Sequence, residues 1–330
     1  MHMAETRFER QVDPELLPGL EVYRMLGFEN ADFTGDSLAA MRTARTEFMA
    51  AALAELPDND RVVSEDRTVP GPDGNDVPVR IYRPVDHDPS DPRHAIYWIH
   101  GGGMVLGDLD GSDPGCEAYV DQLGCVVVSV DYRLAPEHPH PAPVEDCYAG
   151  LQWTAANADA LGIDPDRIAV VGASAGGGLA AGTCLLARDR GGPDLAFQGL
   201  VYPMLDDRND SPSAREFTGI LSWSHEHNAA GWGALLGDDA GGDDVSPYAA
   251  PARAEDLSGL PPTFIQVGDL EVFRDEDIDY AQRLMQAEVP TELHVYPGVF
   301  HAAEGFAPEA DASVRMLRDQ FAALARALAG

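Results

Sequence analysis

The stretch Arg167-Ile-Ala-Val-Val-Gly-Ala-Ser-Ala-Gly-Gly-Gly-Leu179 constrains this chain more than any other. Ile168 to Val171 is a continuous apolar run, the pattern of a parallel strand buried on both faces. It leads into a turn of small residues with Ser174 at its apex, and then into a helical pattern from Leu179 to Ala187. A strand, a sharp turn and a helix in that order form the context that presents a nucleophilic serine. The flanking glycines have a steric task, because larger neighbours of a strained apex would strike the adjoining strand or helix. The helix would aim its first N–H groups at a centre where negative charge develops. The competing reading is a tight turn whose serine only caps the helix.

The rest of the chain has to supply a sheet for that strand. Val62 to Val69 and Val77 to Tyr82 read as antiparallel strands around a turn at Gly71-Pro-Asp-Gly74. Further strands are expected at Ala95 to Ile99, Cys125 to Val130, Phe197 to Tyr202, Pro262 to Val267 and Thr291 to Tyr296. Helical patterns cover Pro143 to Ala160, Asp275 to Ala287 and Ala310 to Leu328. This alternation predicts an α/β fold: a mainly parallel sheet with helices on both faces. Ahead of it, residues 11–56 carry two amphipathic groups: Leu16, Leu17, Leu20, Val22, Tyr23 and Leu26, then Leu38, Met41, Ala44, Phe48, Ala51, Ala52 and Leu56. Between Leu205 and Val245 the alternation breaks, which predicts a helical insertion beside the carboxyl edge of the sheet, where ligands of such sheets bind.

Charge narrows the partners. The 330 residues carry a formal net charge of -34, from 36 Asp and 20 Glu against 22 Arg and no Lys. That surface disfavours nucleic acid and anionic membranes. It predicts adaptation to high salt, where screening relieves self-repulsion. No run reaches the ~18 apolar residues of a membrane span, and the first residues have no apolar core, so a cytoplasmic location is expected. Cys116, Cys125, Cys147 and Cys184 lack C-x-x-C spacing and read as reduced, buried thiols.

A serine hydroxyl is a weak nucleophile until a base takes its proton, so Ser174 needs a histidine with a carboxylate behind it. His301 follows the strand Thr291 to Tyr296, on a loop of turn residues, where such a base belongs. The other histidines precede the core, sit among prolines, lie in the insertion or fall within a strand. The acid is expected after Val267, where Asp269, Glu271 and Asp275 are candidates. Asp275 opens the next helix, and the pattern leaves both Asp269 and Glu271 open. His100-Gly-Gly-Gly103, directly after a buried strand, lets main-chain N–H groups approach a substrate. With the N–H of Ala175 these would form an oxyanion hole, each donor contributing about 3–4 kcal/mol in the transition state. His138-x-His140 lies among prolines, and neither it nor His225-x-His227 has an obvious carboxylate or cysteine partner at metal-ligand spacing, so no metal is expected. Without lysine there is no P-loop.

These motifs together resemble the hormone-sensitive-lipase-like branch of the α/β-hydrolases, the bacterial family IV esterases. The matching residues are His100-Gly-Gly-Gly103, Val105-Leu-Gly-Asp108, Val130-Asp-Tyr-Arg-Leu-Ala-Pro-Glu-His138, Pro141 to Asp146, the serine turn, and Tyr296-Pro-Gly298 ahead of His301. The resemblance implies Ser174 as nucleophile, His301 as base, and Gly102, Gly103 and Ala175 as oxyanion donors. For the acid it implies Glu271, in Glu271-Val-Phe-Arg-Asp-Glu276, where relatives usually carry Asp; Asp269 is the alternative. It also implies a helical cap made of residues 1–56 and the insertion 205–240, around a core of residues 57–204 and 241–330.

The expected activity is hydrolysis of short-chain carboxylic esters through an acyl-enzyme. No cofactor is required, the partner is a small-molecule ester, and the chain is expected to be a monomer or homodimer. Two other readings are a related hydrolase of amides, carbamates or lactones, and a non-catalytic receptor on the same fold. The filled serine, histidine and acid positions argue against the receptor.

Overall fold

The computed structural model describes residues 6–28, 33–55, 57 and 59–329. Its strands are β1 (Val62–Pro70), β2 (Asp76–Pro84), β3 (Arg93–Ile99), β4 (Val126–Val130), β5 (Ile163–Ala173), β6 (Phe197–Val201), β7 (Thr263–Leu270) and β8 (Thr291–Phe300). They form one sheet in the order β1-β2-β4-β3-β5-β6-β7-β8. β2 pairs antiparallel with β1 and β4, and every later pairing is parallel. Every residue of β4 and β6 is buried, which is why these strands read as unbroken apolar runs.

The helices are α1 (Leu17–Met25), α2 (Gly35–Ala54), α3 (Asp113–Leu123), α4 (Ala142–Ala156), α5 (Ala158–Leu161), α6 (Ala175–Arg190), α7 (Pro212–Glu216), α8 (His225–Leu236), α9 (Arg274–Gln286), α10 (Ala303–Phe306) and α11 (Asp311–Leu328). Alternation along each strand divides the core in two. Ile96, Val127, Ala169 and Val171 pack with Cys116 and Tyr119 of α3 and Leu324 of α11. Tyr97, Val128, Ile168 and Val170 face the opposite way, with Leu151 of α4, Leu185 of α6 and Leu284 of α9. A period of two and helices on both faces follow from the same pleat.

Four sequence expectations shift. α3 was not expected; its few apolar positions lie among Asp, Pro and Gly, which hides the period. The helix expected to run from Pro143 to Ala160 breaks at Asn157, the C-cap of α4. β8 continues through Pro297 and Gly298 to Phe300, which pairs with Leu270, so His301 follows a strand and not a long loop. In α2 only Leu38 and Met41 are buried; Ala44, Ala51 and Ala52 are exposed, and Leu56 lies outside the described residues.

The first helices meet the insertion. The ring of Phe33 stacks on Trp223 at 5.5 Å, and Phe28 lies edge-on to His227 at 5.5 Å. α2 is tied to the body of the protein by Arg42, whose guanidinium donates to the carbonyls of Val105 (2.8 Å) and Ala135 (2.9 Å) and to Glu137. Among the described residues no helix is long and apolar enough to cross a membrane.

Candidate active site

The candidate site collects at the carboxyl ends of four parallel strands: β3, β5, β7 and β8. At the end of β5 the chain turns into α6 through Ser174, whose backbone is at φ 58° and ψ -124°. Side chains other than glycine rarely take that conformation, and here it is over-determined by neighbours. The Ser174 N–H donates to Val201 O (2.9 Å), and Ser174 O accepts from Gly178 (3.1 Å) and Met204 (3.0 Å). The flanking glycines are obligatory. A Cβ on Gly172 would stand 2.1 Å from Gly176 O, and one on Gly176 would stand 2.2 Å from Ile99 O. Ser174 occupies the N-cap position of α6 but its side chain caps nothing.

The hydroxyl instead meets His301. Ser174 Oγ lies 2.9 Å from His301 Nε2, and His301 Nδ1 lies 3.1 Å from Glu271 Oε2. All three side chains are buried. Asp269 is elsewhere: it sits within the last residues of β7, and its Oδ1 accepts the Gly298 N–H at 2.7 Å. Asp275 lies in the first turn of α9, where its Oδ2 accepts the Ser213 N–H at 2.8 Å. The structure thus brings Ser174, His301 and Glu271 together and leaves the other two carboxylates outside.

Burial sets the electrostatics of this chain of groups. It lowers the His301 imidazole to about 3, with the Glu304 carboxylate opposing that shift. It also pushes the Glu271 carboxyl well above its ordinary range. Neither charge can be hydrated here, so each group alone favours its neutral form. A neutral imidazole is free to accept a proton. Glu271 Oε1 has no partner among the described residues, so the carboxylate gains most when positive charge forms on the ring beside it.

The loop after β3 completes the arrangement. A Cβ on Gly101 would lie 3.1 Å from Ser174 Cβ, so this loop runs against the serine turn. Gly102 and Gly103 have φ of 129° and 61°, and no acceptor among the described residues engages their N–H groups or that of Ala175. Leu106 and Val105 donate back to Gly102 O at 2.8 and 3.1 Å, which holds the loop tight. His100 is a brace: its ring stacks on Tyr132 at 4.3 Å and its Nδ1 bonds Gly101 O at 2.9 Å. The Asp-Tyr-Arg motif braces too, with Arg133 forked onto buried Asp146.

Sequence reasoning assigned no role to the aromatic groups around His301. Tyr23 of α1 donates to His301 O at 2.8 Å. Tyr202, Phe273 and Trp223 surround the His301 ring, with centroids 4.7, 5.2 and 6.3 Å away. Trp223 also covers Gly103, since a Cβ there would stand 2.2 Å from its Cη2. No spacing rule points to these residues: Tyr23 and Trp223 come from segments outside the strand-helix alternation, and Tyr202 and Phe273 stand just past the ends of core strands, where an apolar pattern reports burial only. No group of three or more His, Cys, Asp or Glu among the described residues could hold a metal ion, and all four cysteines are free and buried.

Residues 96–304 match a family model described as the alpha/beta hydrolase fold. The carboxylesterase NlhH of Mycobacterium tuberculosis is 39% identical over 320 residues, 96% of each chain. An ethyl acetate hydrolase from Pseudomonas putida is 32% identical, over 78% of this chain and 81% of that protein. Among solved structures, a bacterial heroin esterase superposes with a TM-score of 0.90 at 42% identity, over 98% of this chain and 99% of the other. The chain belongs to the hormone-sensitive-lipase-like branch of the α/β-hydrolases, a family of carboxylic ester hydrolases.

Proposed function

We propose that this protein is a serine carboxylesterase acting on short-chain esters through an acyl-enzyme. The observation that carries the reading is the continuous relay from Ser174 Oγ to His301 Nε2 at 2.9 Å and from His301 Nδ1 to Glu271 Oε2 at 3.1 Å. Ser174 attacks the ester carbonyl as His301 takes its proton, and the Glu271 carboxylate steadies the imidazolium. The N–H groups of Gly102, Gly103 and Ala175 receive the oxyanion. The alcohol leaves with the proton from His301, and water then releases the acid by the same steps. No cofactor enters.

Glu271 is the preferred acid because it reaches the imidazole, whereas Asp269 holds a main-chain N–H. A short acyl chain is favoured by Trp223 seated over the glycine loop, backed by Phe33. The ethyl acetate hydrolase among the relatives is consistent with that. Residues 1–56 and 205–240 act as one cap, supported by the packing of Phe28 and Phe33 on Trp223 and His227. The acidic surplus suits the enzyme to concentrated salt.

Hydrolysis of p-nitrophenyl esters from acetate to decanoate tests the reading, with wild type and Ser174→Ala, in dilute and molar salt. Activity confined to short chains and abolished in the variant is expected. Activity that survives Ser174→Ala would remove the nucleophile, and a folded protein inert on every ester would remove the substrate class.

A further inference from the structure

A second carboxylate lies beside the base and has no part in the relay. Glu304 sits in α10, three residues after His301. Its Oε1 accepts the hydroxyl of Tyr202, and its Oε2 is buried with no partner among the described residues. Tyr202 is itself held in an unusual state. It follows β6 with φ at 36°, its N–H donates to Gln266 O at 2.6 Å, and its ring lies edge-on to the His301 ring at 4.7 Å and 68°. A bulky residue at positive φ persists only where its surroundings require it. Tyr202 therefore joins two contacts: its ring limits the tilt of the imidazole, and its hydroxyl fixes Glu304.

The groups facing His301 from the elements around it are Ser174 at the start of α6, Glu271 after β7, Tyr23 of α1, Tyr202 after β6 and Glu304 of α10. Phe273 and Trp223 also border the ring, and neither carries a charge. Among these, Glu271 and Glu304 are the carboxyls; burial raises both, and for Glu304 the Tyr202 hydroxyl and the His301 ring oppose that rise and favour its charged form, while burial pushes both tyrosines upward. The low-dielectric surroundings that penalise an imidazolium also strengthen its attraction to a nearby carboxylate.

We propose that Glu304 is a positioning residue for acyl transfer: held by the Tyr202 hydroxyl, it steadies the His301 ring and places a second negative charge beside the imidazolium. This rests on the reading of Ser174 and His301 as nucleophile and base. It also gives this chain a device separate from Glu271. One carboxylate sets the tautomer through Nδ1; the other acts through the field and through the ring of Tyr202.

The test follows the covalent step alone. A p-nitrophenyl alkylphosphonate transfers its phosphonyl group to Ser174 Oγ; the P–O bond to p-nitrophenolate breaks as the serine proton passes to His301. Mass spectrometry locates the adduct, and the p-nitrophenolate release rate against pH reports the base. Glu304→Gln keeps an acceptor for Tyr202 and removes only the charge. Its plateau rate is expected to fall about 5–20-fold, and its acid midpoint to stay or move lower, because removing a carboxylate lowers the affinity of the imidazole for its proton. Tyr202→Phe, which frees Glu304, is expected to lose about threefold. A Glu304→Gln plateau within twofold of wild type, or a midpoint that moves upward, overturns the role of the charge. A Tyr202→Phe enzyme at full rate overturns the lock. Absence of any adduct on Ser174 in the wild type would instead overturn the reading on which the proposal rests.

Discussion

Adding one methyl group at Gly103 would test the proposed oxyanion role of its loop separately from the proposed relay. A Cβ there would lie 2.2 Å from Cη2 of Trp223, where carbon atoms normally approach to about 3.5–4.0 Å. Something must move by about 1.3 Å or more. Trp223 is the less able to yield, being 3% exposed and wedged by Phe33 at 5.5 Å, His227 at 5.8 Å and Phe28 at 6.4 Å. The loop therefore shifts, and alanine at φ 61° adds about 1–2 kcal/mol of backbone strain. An ångström of misplacement costs on the order of 10²-fold, and loss of one oxyanion donor roughly 10²–10³-fold. The kcat of Gly103→Ala for p-nitrophenyl acetate is expected to fall by roughly 10²–10³, with a loss of about 1–3 kcal/mol in urea denaturation. Combining it with Trp223→Phe removes the clashing atom and should restore at least about tenfold of kcat. A single variant that keeps a third of its kcat, or a double variant as slow as the single, would refute the reasoning.

Other expectations follow from the same coordinates. Glu271→Gln should lower kcat by about 10³–10⁴-fold through the wrong imidazole tautomer; Asp269→Asn should cost less than about tenfold, and the reverse ranking in steady-state assays would move the acid to Asp269. Burial holds His301 at about 3 in the folded chain, below the about 6.5 of an unfolded one. Its contribution to stability is therefore complete above about 6.5 and is lost as pH falls toward 3. The drop in urea midpoint between pH 7 and pH 4 should be smaller in His301→Gln than in wild type, and an equal drop would discount this group. The charge of -34 predicts that the melting temperature rises from dilute buffer to molar KCl as self-repulsion is screened; a flat response would end the high-salt reading.

Much of the frame was legible because parallel strands buried on both faces leave long apolar runs, as at Ile168 to Val171 and Val126 to Val130. The serine turn was legible because its glycines answer to backbone atoms less than 2.5 Å from where a Cβ would stand. Asp269 and Glu271 could not be ranked by pattern. Their difference arises where β7 runs on to Leu270 with a register shift after Gly268, so that Asp269 lies within the strand and Glu271 just past it. Pro297-Gly298 read as the end of a strand, yet β8 carries on through them to Phe300. The half-exposed α2 shows the limit of periodicity: a helical repeat reports a helix but not how much of it finds a partner.

The wide spacing of the relay bears on biosynthesis. Ser174 and His301 are 127 residues apart in the chain, and the Tyr23 bond to the His301 carbonyl spans 278. Contacts of such long range form late, after much of the loop-closure entropy has been spent. A ribosome-bound chain that has emerged only through β7 carries Ser174 without His301 beside it. On the proposed reading, activity would begin only once β8 has docked at the sheet edge, so its appearance during synthesis would report the pairing of β7 with β8.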